Sequence, residues 1–238
     1  HSQDAAAPTA DEGLADDLGK GGLARKARDN LAAIRIVQAL AVENRVATPE
    51  ERKQLTRYVG WGALKGVFDP ANAQWAKVRT ELQGLLSDAQ WRAARASVLN
   101  AHYTSKPVID GMYAGLARLG VTRGRILEPA VGIGHFFGGM PTKLRNASEL
   151  FGIELDPLTQ QIAAALYPKA KIRQSGFQDA AIPGEFFDVA VGNPPFGSEP
   201  IVDAERSPYS GFSIHNYFFA KSIDKLRPGG VLMMVVSH

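Results

Sequence analysis

The sequence predicts an α/β fold, a mostly parallel sheet with helices on both faces, preceded by an all-helical extension. Three observations carry this reading. Beyond about residue 100, short Val/Ile/Leu-rich runs alternate with stretches of helical spacing, the pattern of a parallel sheet covered on both sides. The first of those runs passes through a glycine turn straight into a helix. The residues before about 100 show only helical periodicity and are rich in Ala and Arg.

Taken in order, residues 1–22 are rich in Ala, Asp and Gly without apolar periodicity and read as a flexible lead-in. Residues 23–100 form the helical extension. In LARKARDNLAAIRIVQAL, Leu23, Ala27, Leu31, Ile34, Val37 and Leu40 share one face of a helix. TPEE then supplies Thr48 as cap, Pro49 at the first helical position and Glu51 to complete a capping box, for a helix ending near Gly60 or Gly62. Two more helices are predicted over 74–86 and 88–99. Residues 101–238 form the sheet domain, with strands at 125–131, 150–156, 171–177, 186–192 and 230–237. Its helices fall at 107–119, 135–145, 157–167 and 214–226.

Composition narrows the chemistry. The 238 residues include no cysteine, and the five histidines never fall at ligand spacing within one helix, so a protein-held metal is not expected. No apolar run approaches the roughly 18 residues of a membrane span and no signal peptide is visible, so the expected setting is cytoplasmic. The net charge of +3 hides an acidic lead-in: five acids and no Lys or Arg precede residue 20, leaving +8 on the rest. That balance is compatible with a polyanionic partner.

Parallel sheets of this kind bind ligands at the carboxyl ends of their strands. The first strand ends in EPAVGIGHFFGG, where Gly132 and Gly134 let the backbone approach a ligand. Phe137 stands where the dinucleotide fingerprint needs Gly or Ala, which disfavours a nicotinamide cofactor. Glu154 follows Gly134 by 20 residues, the spacing at which an acid accepts hydrogen bonds from a ribose diol. After the fourth strand comes NPPF. Its prolines stiffen the segment, so that the Asn193 amide oxygen and the Pro194 carbonyl can converge as two acceptors beside the Phe196 ring. Such a set suits a planar exocyclic amine. A plain proline strand stop is the competing reading.

EPAVGIG, GIELD and GNPPF, in this order, resemble the cofactor-binding and catalytic motifs of class I amino-group methyltransferases, specifically gamma-type N6-adenine DNA methyltransferases. The resemblance covers roughly residues 100–238 and implies a Rossmann-like sheet and S-adenosylmethionine as cofactor. AHYTSKPVIDGMY resembles the segment that precedes the glycine turn in that order, so Tyr103 and Thr104 would touch the methionine part of the cofactor. Glu128, Pro129, Gly132 and Gly134 would line the same site, Glu154 would take the ribose and Leu155 would lie against the adenine ring. Asn193, Pro194, Pro195 and Phe196 would hold the target base. Phe177 matches the aromatic residue after the third strand, but Gly176 replaces the acid often found before it, with Gln178 or Asp179 as substitutes. YVGWGALKGVFD and IHNYFFAKSIDKLRPGG also resemble large phage and plasmid methylases often joined to helicases, which implies DNA as partner and a helicase or recognition domain in a parent chain. The family sheet continues for two strands beyond the fifth, so the domain is expected to be C-terminally incomplete.

Some readings stay open. The acceptor could instead be an RNA base or a protein glutamine, or the chain could bind cofactor or DNA without turnover. His135 suits a ligand contact or a helix start equally. His102 and Lys106 read as surface, Tyr217, Phe218 and Phe219 as core, and Trp61 has no assignable partner. The polar stretch between Gly197 and Ser213 is either a substrate lid or a connection.

Overall fold

The computed structural model describes residues 21–98, 104–197, 199–203 and 208–236. The extension contains α1 (Leu23–Glu43), α2 (Pro49–Leu55), α3 (Ala76–Leu85) and α4 (Asp88–Ser97), with short 3-10 turns at Gly62–Phe68 and Ala73–Trp75. The sheet region follows as α5 (Lys106–Arg118), β1 (Arg125–Glu128), α6 (His135–Gly139), α7 (Thr142–Asn146), β2 (Glu149–Glu154), α8 (Pro157–Leu166), β3 (Lys171–Gln174), β4 (Phe187–Gly192), α9 (Ile214–Lys225) and β5 (Leu226–Met234).

The strand order is β3-β2-β1-β4-β5, and every pairing is parallel. This is a doubly wound sheet whose order reverses beside β1, so the crevice at the carboxyl ends of β1 and β4 is the expected ligand site. Period-2 alternation explains how the sheet is covered: Ile126, Val189 and Val191 enter one apolar core while Leu127 and Ala190 enter the other. The first core is continuous with the extension. Leu31, Ile34 and Val37 of α1, Trp61 and Leu82 belong to the same buried cluster as Ile109, Phe136 and Leu158. The second core holds Phe177, Phe187, Tyr217 and Phe218, so two of the three aromatics of α9 read as core enter it, while Phe219 stays outside, half-buried beside His215.

Local chemistry accounts for the boundaries. Thr48 and Glu51 form the capping box expected for α2, and Ser87 with Gln90 forms another for α4. The single helix expected over 135–145 is two, because Pro141 has no N–H to continue α6 and holds Met140 extended. α2 stops at Leu55, earlier than Gly60, and the chain turns into YVGW. β5 begins at Leu226, ahead of the expected 230: Leu226 pairs with Phe187 and Val231 with Val189, and the surplus residues bulge at Gly229, where φ is 77°.

Candidate active site

The carboxyl ends of four strands open into one cavity of about 380 Å³. β1 and its turn contribute Glu128 to Ile133, β2 contributes Ile153 to Asp156, the corner after β3 contributes Ser175 to Gln178, and the exit of β4 contributes Asn193 to Phe196. Thr104 and His135 complete this side. Eleven sequence-predicted positions therefore share one wall: Thr104, Glu128, Pro129, Gly132, Glu154, Leu155, Phe177, Asn193, Pro194, Pro195 and Phe196. Tyr103 and His102 lie outside the described residues. Lys106 is a surface residue paired with Asp110 at 2.7 Å.

The glycine turn is shaped by two left-handed residues. Gly132 has φ 56°, and a Cβ there would meet nothing within 4 Å, so this backbone faces open space. Gly134, with φ 85°, stands behind the wall: a Cβ would come within 2.3 Å of the Tyr167 ring, which packs edge-on against Phe137. Gly134→Ala is expected to combine left-handed strain with that clash and to cost about 2–3 kcal/mol. Urea unfolding checks this; an unchanged midpoint would show that the turn tolerates a side chain.

Two acids flank the turn. The Glu154 carboxylate accepts the Gly132 N–H at 2.8 Å and the Asp156 N–H at 2.9 Å, which ties the end of β2 to the turn after β1. Burial pushes its pKa up to about 7, with the nearby Asp156 charge adding and the backbone N–H donors of Asp156, Gly132 and Leu155 opposing. Glu128 is buried, and burial followed by the Glu154 charge holds its pKa well above the usual carboxylate range. Its Oε2 and the Thr104 hydroxyl find no partner among the described residues. Burial lowers the His135 pKa to about 4, so its imidazole is neutral. Leu155, although apolar, is 67% exposed where it lines the cavity, a surface suited to a flat ring.

At the corner after β3, Gly176 makes room for Gln178, whose amide would lie 2.4 Å from a Cβ at 176. Gln178 lines the cavity, while Asp179 accepts the Gln178 amide N–H at 2.9 Å and is not on the wall. Beyond β4, Phe196 stacks on His215 of α9 with centroids 5.3 Å apart and planes 26° apart, and Phe219 lies 4.9 Å from that imidazole. The described residues beyond NPPF fold back: Pro200 bridges Ser213, Ile201 lines the cavity, and Asp203 is buried against Lys221 and Tyr217.

Sequence reasoning missed the far wall. Tyr58, Gly60, Ala93, Ala96 and Ser97 of the extension line the cavity, as do Thr159 of α8 and Ile214 and Phe218 of α9. YVGWGAL was a visible signal for Tyr58; the alanines of α4 carry none. Among the described residues, no group of His, Asp and Glu could hold a metal ion, and no helix is long and apolar enough to cross a membrane.

The order of this sheet, with its glycine turn and acid corner, is a Rossmann-like, doubly wound arrangement. Comparison with known proteins agrees with the methyltransferase resemblance. No family model matches the chain. It is 25% identical over 210 residues, 87% of its length, to the Defense against restriction protein B of Escherichia phage P1. Over 131 residues, 48% of its length, it is 30% identical to a Type II methyltransferase of Thermus thermophilus. These matches span 8% and 29% of the two relatives. A methyltransferase subunit of a type I restriction-modification system from Streptococcus thermophilus superimposes with a TM-score of 0.47 at 18% identity, covering 68% of this chain and 43% of that one.

Proposed function

We propose that this chain transfers the methyl group of S-adenosylmethionine to the exocyclic N6 amine of adenine in DNA. The observation that supports this most directly is convergence: the Gly132 turn, the Glu154 corner and the Asn193–Phe196 segment all face one cavity. The residues fit the cofactor. Gly132 leaves an open cradle, the half-buried Glu154 carboxylate suits a ribose diol, and exposed Leu155 suits an adenine face. Thr104 and Glu128 hold polar atoms that find no partner among the described residues, for the methionine end. When bound, the cofactor supplies an electrophilic methyl on sulfonium.

The chain's own groups then orient the acceptor. The Asn193 amide oxygen and Pro194 carbonyl accept the two amine protons and turn the nitrogen lone pair away from the ring plane, while the Phe196 ring steadies the base. The sulfonium would give its methyl to the amine nitrogen and keep the S–C electron pair, and the amine proton, held at the Asn193 and Pro194 oxygens, would pass to water. In duplex DNA the base must leave the stack to reach such a cavity. Sequence choice would come from a helicase-linked or recognition segment of a parent chain.

The test is transfer of labelled methyl groups from S-adenosylmethionine to DNA, RNA and protein, followed by location of the modified atom. Label at adenine N6 of DNA is expected. Label only on an RNA base or a glutamine amide would replace the substrate assignment, and no label on any polymer would refute transfer by this chain.

The acid corner predicts a pH dependence. Because the folded pKa of Glu154 lies above its ordinary 4.5, the folded state holds a proton that the unfolded chain releases. Its contribution to stability is therefore full below about 4.5 and lost as pH rises through about 7. Cofactor binding has the opposite preference, since a ribose diol donates to the carboxylate. Affinity is expected to fall by up to about tenfold per unit below about pH 7 and to level off above it. Calorimetry across that range checks the slope, and Glu154→Gln should flatten it.

A further inference from the structure

YVGW, at 58–61, has no part in the chemistry above, yet it is held more firmly than a connection requires. Asn30 of α1, fully buried, grips it with both ends of its amide: Nδ2 donates to the Gly60 carbonyl at 2.7 Å, and Oδ1 accepts from the Val59 N–H at 3.0 Å. Trp61, also fully buried, packs edge-on against Phe68 at 5.5 Å, and Phe68 does the same against Trp91 of α4 at 5.0 Å. Gly60 takes a left-handed φ of 62°, which turns the chain toward the cavity. Meanwhile α1 and α2 pack on α8, the helix that Asp156 caps and whose first turn carries Thr159. The extension is thus fixed against the acid corner.

Tyr58 is what this arrangement presents. It is 2% exposed and lines the cavity with Thr159, Asp156 and Glu154. Burial, then the charges of Asp156 and Glu154, raise its phenol pKa. The group facing the corner is therefore a neutral hydroxyl, able both to donate and to accept.

We infer that Tyr58 is a cofactor-binding residue, its hydroxyl hydrogen-bonding the ribose diol beside Glu154, and that Asn30 is the residue that positions it. The cofactor pocket is then completed by the helical extension and not by the sheet domain alone. This rests on the reading of the cavity as an S-adenosylmethionine site.

The experiment uses the full 238-residue chain and Tyr58→Phe, which keeps the packed ring and removes only the hydroxyl. Calorimetry with S-adenosylmethionine should show affinity weakened by about tenfold, the size of one good hydrogen bond. A second measurement excludes a merely structural effect: adenosine is compared with 2′,3′-dideoxyadenosine on both proteins. Wild type should prefer adenosine, and Tyr58→Phe should lose part of that preference, as in a double-mutant cycle between protein and ligand hydroxyls. If wild type binds S-adenosylmethionine but Tyr58→Phe matches it within about twofold with the preference intact, the role of Tyr58 is overturned. If wild type binds no S-adenosylmethionine, the reading of the cavity falls as well.

Discussion

Asn193→Ala should reduce methyl transfer by at least about 10²–10³-fold while leaving S-adenosylmethionine affinity within about threefold of wild type. The asymmetry follows from placement. Asn193 stands at the exit of β4, beyond the buried run from Val189 to Gly192, and the prolines that follow it fix its backbone. It shares the cavity with Glu154 and Gly132 but belongs to neither the glycine turn nor the acid corner. Alanine removes the amide oxygen that would orient the amine and leaves the cofactor wall untouched. Single-turnover transfer and calorimetry measure the two quantities separately. Undiminished transfer would sink the assigned role, and a parallel collapse of cofactor affinity would show that Asn193 acts on the cofactor side. Aspartate at the same position keeps an oxygen there and should lose less than alanine.

The second large effect is on stability. Lys221 of α9 is 2% exposed, as is Asp203, and the two side chains meet at 3.4 Å. The ammonium also donates to the Gln178 carbonyl at 3.1 Å and lies 5.5 Å from the Phe177 ring centroid, while the Tyr217 hydroxyl donates to the same carboxylate. Lys221→Met fills similar space without the charge and leaves the Asp203 carboxylate buried without that counterion. Breaking such a pair costs about 3–5 kcal/mol, a large share of the roughly 5–15 kcal/mol by which a domain is stable. Urea unfolding should show the loss, and adding Asp203→Asn should recover part of it because the buried carboxylate charge goes with its Lys221 counterion. An unchanged midpoint for Lys221→Met would mean that the pair contributes nothing net. Since Lys221 joins α9, the chain beyond NPPF and the Phe177 corner, cofactor affinity should weaken in the same variant.

The parts of the site that were legible in the sequence are those whose function is local. Glu154 ends β2, Gly132 lies in the turn after β1 and Asn193 directly follows β4, and a parallel sheet delivers every strand end to the same edge. Knowing the strands was therefore enough to know that these residues meet. The element boundaries were less legible where two local signals compete. Pro141 divides a helix whose apolar spacing runs on, and the bulge at Gly229 lets β5 pair from Leu226, before its apolar run begins. The Gly134 position shows a finer gap: its spacing marked a turn, but only the Tyr167 ring behind it explains why no side chain fits there.

What the sequence determined by itself was the layered α/β class, the cavity edge, and the identity of the groups at each strand end, because apolar period and turn chemistry act over a few residues. Only the tertiary structure decided that Asn30 would hold Val59 and Gly60, that Tyr58 would face Glu154 across nearly a hundred residues, and that Asp203 would be buried against Lys221. Those contacts depend on how α1, α2 and α9 pack on the sheet and its helices. Packing of that kind is set by the shape of whole faces, and no spacing within one segment records it.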